Sequence, residues 1–146
     1  EVNGALISRS VIFELKPHET PERNREAARL CVEMINQMKL AKRTEYISFN
    51  LDACKELIRL APKADVYYLN GELTPMELKE MGFAGLDYHY KVLRSHPEWL
   101  QECKVLGLKS NTWTVDDPAV MREMRDKGVD FLTTNLPEEA LQIVNE

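Results

Sequence analysis

Roughly six times along this chain a short apolar run is followed by a capping residue and then by an amphipathic stretch. That alternation constrains the fold more than any other feature, because strand and helix in strict turn build a parallel sheet with helices outside it. Residues 11–16 (Val-Ile-Phe-Glu-Leu-Lys) are the first run, rich in β-branched and aromatic residues and followed by Pro17. Thr20-Pro21-Glu22 then offers an N-cap, a proline at the first helical position and an acidic first turn. Helical spacing of Ala27, Leu30, Cys31, Met34, Ile35 and Met38 carries that helix to about Leu40. Further strands are expected over residues 46–49, 65–69, 83–87, 109–115 and 129–132, the fourth being weakened by Gly85. Asn50 caps a helix with its apolar face on Leu51, Cys54, Leu57, Ile58 and Ala61, and Thr74-Pro75-Met76-Glu77 is a capping box. His96-Pro97 opens a helix that Gly107 closes, Asp116 or Asp117 caps the next, and Leu136-Pro137 begins the last.

Two parallel architectures fit this pattern. A doubly wound sheet would carry a glycine-rich phosphate loop after its first strand, and that loop is absent. A closed barrel takes eight such units and about 250 residues. This chain of 146 residues is about two units short, so the expected fold is an incomplete TIM (β/α)8-type barrel, a single domain over residues 1–146.

The first strand also carries chemistry. Side chains alternate along a strand, so Val11, Phe13 and Leu15 share one face while Ile12, Glu14 and Lys16 share the other. A carboxylate and an ammonium thus stand side by side at the C-terminal end of a strand, which is where a β/α barrel keeps its active site. Glu14 can hold a cation and Lys16 can meet an anion. A plain ion pair at a strand end accounts for the residues equally well.

Composition narrows the partners. The net charge of -5, without a basic stripe, argues against nucleic acid. No apolar run approaches the ~20 residues that span a bilayer. Cys31, Cys54 and Cys103 are scattered and make neither a disulfide framework nor a zinc site. The chain opens at Glu1 with no Met and no signal-peptide pattern, as if processed or cut from something longer; cytoplasm and periplasm both remain open.

Four motifs, taken in order, point further. Residues 111–116 (Asn-Thr-Trp-Thr-Val-Asp), then Met121, then residues 128–137 (Gly-Val-Asp-Phe-Leu-Thr-Thr-Asn-Leu-Pro), resemble the closing strands of the glycerophosphodiester phosphodiesterases. Phe13-Glu14-Leu15-Lys16 and Ile47-Ser48-Phe49-Asn50 are similar to two earlier strands of that family. The resemblance implies a barrel-shaped phosphoric diester hydrolase of lipid and glycerol metabolism. Its substrate is a small phosphodiester, cleaved to glycerol phosphate and an alcohol with the help of a divalent cation, calcium or magnesium. It also implies that Glu14 is a metal ligand, that Lys16 faces the substrate phosphate, and that Trp113 and Phe49 line the pocket. His18, Asp87 and His89 are expected at the site rim. Thr134 and Asn135 are expected to cap the last helix.

The departures are as specific. The family's His-Arg-Gly strand end and Glu-x-Asp strand do not occur in this sequence, nor does its second catalytic histidine. The chain then corresponds to the C-terminal part of the barrel, strands three to eight, and is expected to have little or no activity by itself. Two other readings stand beside this one: a Schiff-base aldolase using Lys16, and a non-catalytic module that pairs through open sheet edges into a homodimer.

Overall fold

The structure is a computed structural model, and it describes residues 10–146. Six strands, β1 (Val11–Glu14), β2 (Thr44–Ser48), β3 (Val66–Tyr68), β4 (Gly85–His89), β5 (Lys109–Trp113) and β6 (Phe131–Leu132), form one sheet in sequential order, every pairing parallel. Helices α1 (Pro21–Gln37), α2 (Leu51–Leu60), α3 (Pro75–Glu80), α4 (Tyr90–Ser95), α5 (Trp99–Leu106), α6 (Pro118–Asp126) and α7 (Pro137–Val144) connect them. The sheet curls into a half-barrel with β1 and β6 as its open edges among the described residues. The incomplete barrel expected from the alternation is the fold observed.

The apolar core lies between sheet and helices. Leu15, Tyr46, Val66, Tyr68, Leu86, Tyr88 and Val115 meet Ala28, Val32, Ile35, Leu57, Leu78, Leu93, Met121 and Met124 there. Phe13 and Leu15 join this layer, as the alternation along β1 requires, whereas Ile12 turns to the inside of the curl and is 56% exposed. Phe131, on the opposite edge strand, is 52% exposed and lines the same hollow.

Local chemistry explains most boundaries. Thr20, Asn50 and Asp117 each accept a backbone N–H of the first turn that follows, and Thr74 and Glu77 close a reciprocal capping box. Every strand departs from its expected range by one to two residues at one end or both, and three boundaries differ for a clear local reason. Helix α1 ends at Gln37 rather than near Leu40, because Lys39 adopts φ 59° and turns the chain. Strand β4 starts two residues later than expected, since the Phe83 N–H donates to the Leu78 carbonyl and completes the turn after α3. The stretch before Gly107 holds two helices, α4 and α5, and His96 is the C-terminal cap of the first rather than an N-cap. Its ring stacks on Trp99 at 4.0 Å.

Candidate active site

Following the inward-facing positions of each strand from the N-terminal end builds a short pocket wall. Ile12, Glu45, Ile47, Tyr67, Asp87, Asn111 and Thr133 line a hollow of about 260 Å³ inside the curl. A larger hollow of about 610 Å³ lies at the other end of the strands, around Lys42, Arg43, Thr44 and Asp65. In this architecture the C-terminal strand ends carry the chemistry, and the smaller hollow lies on the inner face of the strands that lead to them.

Glu14 ends β1 on the same face as Ile12. Lys16 Nζ donates to Glu14 Oε1 at 2.7 Å, with the lysine side chain 74% exposed and the glutamate 31%. An ion pair this open to water contributes about 0–1 kcal/mol, so either partner is easily recruited by another ligand.

At the C-terminal ends of β2, β4 and β5 stands an aromatic cluster. Phe49 packs edge-on against Trp113 with centroids 5.6 Å apart, and His89 meets the same indole at 5.0 Å. Trp113 Nε1 donates to the Asp87 carbonyl at 2.8 Å, which fixes the ring across two strands. His89 Nδ1 accepts the Lys91 N–H at 3.2 Å and the ring stacks on Tyr90. Burial, then the charge of Lys91, pushes the His89 pKa down. A neutral His89 at pH 7 follows.

Asp87 lies deeper than the site rim where it was expected. Strand β4 runs on to His89, so Asp87 sits within the strand, faces inward and is only 3% exposed. Its Oδ1 has no hydrogen-bond partner. Burial pushes its pKa up to about 7; a hydrogen bond with Asn111 opposes this, and the charge of Glu14 adds to it. Asn111 is held in turn: its amide donates to Thr133 Oγ1 at 3.3 Å and its carbonyl oxygen accepts the Thr112 N–H at 2.8 Å.

The sequence reading did not single out Asn111. The signal was present, because Asn111 lies two residues before Trp113 and therefore on the same face. His18 stands apart, in an exposed loop whose hollow is lined by Pro17, Glu19, Thr20 and Arg23. Thr134 and Asn135 do not provide the expected side-chain cap for α7, whose first turn has none. Asp116 instead accepts from Thr134 Oγ1, from the Asn135 N–H and from Asn135 Nδ2, tying the loop after β6 to the end of β5. Among the described residues, no three His, Cys, Asp or Glu side chains converge into a metal-binding group.

With this geometry in hand, comparison with known proteins is informative. A model of the glycerophosphoryl diester phosphodiesterase family matches residues 10–139. The crystal structure of a glycerophosphodiester phosphodiesterase from Parabacteroides distasonis superposes with a TM-score of 0.92 at 70% identity, over 93% of this chain and 57% of that one. A glycerophosphodiester phosphodiesterase from Caldanaerobacter subterraneus subsp. tengcongensis is 27% identical over 119 residues, 79% of this chain and 48% of its own length. The fold alone is shared with an Oleispira antarctica phosphodiesterase solved in complex with the product sn-glycerol-3-phosphate, at 17% identity and a TM-score of 0.71 over 91% of this chain and 55% of that one. The chain thus spans about half the length of these relatives.

Proposed function

Because the chain belongs to the glycerophosphoryl diester phosphodiesterase family, we propose that its residues 10–139 form one wall of a site that cleaves a small glycerophosphodiester to glycerol phosphate and an alcohol. The observation that carries this reading is the Glu14–Lys16 pair, 2.7 Å apart at the C-terminal end of β1, on the strand face that turns inside the curl. A carboxylate and an ammonium so placed can take the two opposite charges that a metal-bound phosphodiester presents.

Glu14 would hold the cation. Its carboxylate oxygens suit a hard ion such as calcium or magnesium, and the partnerless Asp87 Oδ1 lies inside the same curl without being counted as a ligand. When bound, the cation supplies charge neutralisation at the phosphoryl oxygens. Lys16 would meet a phosphate oxygen, its long exposed stem leaving the ammonium free to swing from Glu14 to the ligand. Phe49 and Trp113 would flank the organic part of the substrate, with neutral His89 beside them. In the Oleispira protein the bound product is sn-glycerol-3-phosphate, which supports a small phosphate-bearing ligand for this wall. In these roles Glu14 and Lys16 transfer no proton to the leaving oxygen. This wall therefore contributes charge neutralisation and positioning, and turnover by this stretch unaided is expected to be slight.

The Schiff-base reading of Lys16 has its exposure against it. An amine nucleophile works from a desolvated pocket, and Lys16 is 74% exposed to water. Pairing of chains through the open edges of β1 and β6 remains part of the proposal, and sedimentation velocity over a range of concentrations tests it.

Binding of glycerol 3-phosphate in the presence of calcium or magnesium tests the main reading. Glu14→Gln and Lys16→Met are each expected to weaken it about tenfold, the loss of one charge-assisted contact. Unchanged binding in both variants would overturn the assignment. Brisk metal-dependent turnover by the unaided chain would overturn the restriction to charge neutralisation.

A further inference from the structure

Among the described residues, Asp87 Oδ1 is the one buried side-chain oxygen or nitrogen without a hydrogen-bond partner. Such a group leaves its desolvation unrecovered, so its presence calls for a physical account. Asp87 is 3% exposed and lines the hollow inside the curl together with Ile12, Ile47, Tyr67 and Asn111. About 260 Å³ of space is open there, room for several waters at about 30 Å³ each. Glu14 shares the β1 face of Ile12, which lines this hollow, and its charge acts on Asp87.

We propose that Asp87 is a positioning residue for the cation assigned to Glu14, its partnerless oxygen accepting a hydrogen bond from a water carried by that cation. The inference rests on the cation reading of Glu14 and adds to it a second carboxyl that is not a direct ligand. Three observations favour this role. The Asp87 side chain is oriented by Asn111, which is itself held by Thr133 and by the Thr112 N–H. The Asp87 backbone is pinned through its carbonyl by Trp113 Nε1 at 2.8 Å. Lys16, the cation seen beside Glu14, is already paired there and largely in solvent, so it does not satisfy Asp87. Hard cations, magnesium above all, keep several of their waters, and acceptors for those waters tune affinity without touching the metal.

Calorimetric titration of calcium or magnesium chloride into the purified protein tests the role, with thermal melting in chelator as a second readout. Asp87→Asn keeps the shape but weakens the acceptor and removes the charge; it is expected to raise the cation Kd about tenfold, the usual scale for an outer-shell partner. Its melting temperature without cation is expected to stay level or rise, since the buried acid is gone. Should that variant fail to fold, Asp87→Ser, smaller and uncharged, carries the same expectation. Binding lost in Glu14→Gln yet unchanged in Asp87→Asn would overturn the positioning role alone. A lower melting point in Asp87→Asn with unchanged Kd would do the same, marking the residue as purely structural. Absence of any cation binding by the unaltered protein would overturn the reading of Glu14 and this inference together.

Discussion

Asp87 carries its chemistry in its surroundings. A carboxyl whose folded pKa stands at about 7, against 3.8 for an ordinary aspartate, is raised first by burial, with the charge of Glu14 adding to the effect. The raised value means that the folded state holds its proton more tightly than the unfolded chain does. The resulting stability is fully present below pH ~4 and is lost as pH rises through about 7. In chelator, urea unfolding midpoints of the unaltered protein are therefore expected to fall between pH 5 and pH 8 by more than those of Asp87→Asn. Parallel pH profiles would show that this carboxyl is not the group responsible. At this scale the pairing of Glu14 with Lys16 at a strand end was legible from alternation along a single strand. The Asp87–Asn111 pairing was not, because it depends on how β4 and β5 align, with Asp87 opposite Asn111, and neither strand states that alone.

Strands and helices were legible where one residue decides an end. Asn50 and Thr74 lie at N-caps because their side chains reach backbone donors three residues away, a purely local matter. The start of β4 was not local, since the helix preceding it claims Phe83. Gly85 weakened the strand pattern in the sequence, and the packing gives the reason for it. A Cβ at that position would lie 1.9 Å from the Lys109 carbonyl oxygen, so β4 and β5 approach each other there through bare backbone. Gly85→Ala is expected to destabilise the fold by about 3 kcal/mol or more, since no flexible side chain can yield to relieve the contact. Denaturant unfolding measures this, and a loss below about 1 kcal/mol would show that the two strands separate easily.

For the molecule as a whole, the alternation of elements determined a single curled sheet in sequential order. What the pattern could not supply was the degree of exposure at its two sides, where Ile12 and Phe131 stand 56% and 52% open. Among the described residues, strands β2 to β5 are paired on both sides, whereas β1 and β6 are paired on one. Amide hydrogen exchange is expected to be slowest in β2 to β5 and faster by an order of magnitude or more in β1 and β6. Uniform protection across all six strands would indicate that the outer pair is covered in solution.

Every strand points the same way, so every helix that follows one begins at the same end of the molecule. The peptide dipoles of a helix sum to about half a positive charge at its start. Repeated after each strand, these helix starts gather at the Glu14–Lys16 end, where Glu22, Asp52, Glu77, Asp117, Glu138 and Glu139 stand at or in their first turns and offset that partial charge. A phosphate approaching that face would therefore depend on side chains such as Lys16 more than on main-chain N–H groups, several of which Thr20, Asn50, Thr74 and Asp117 already engage.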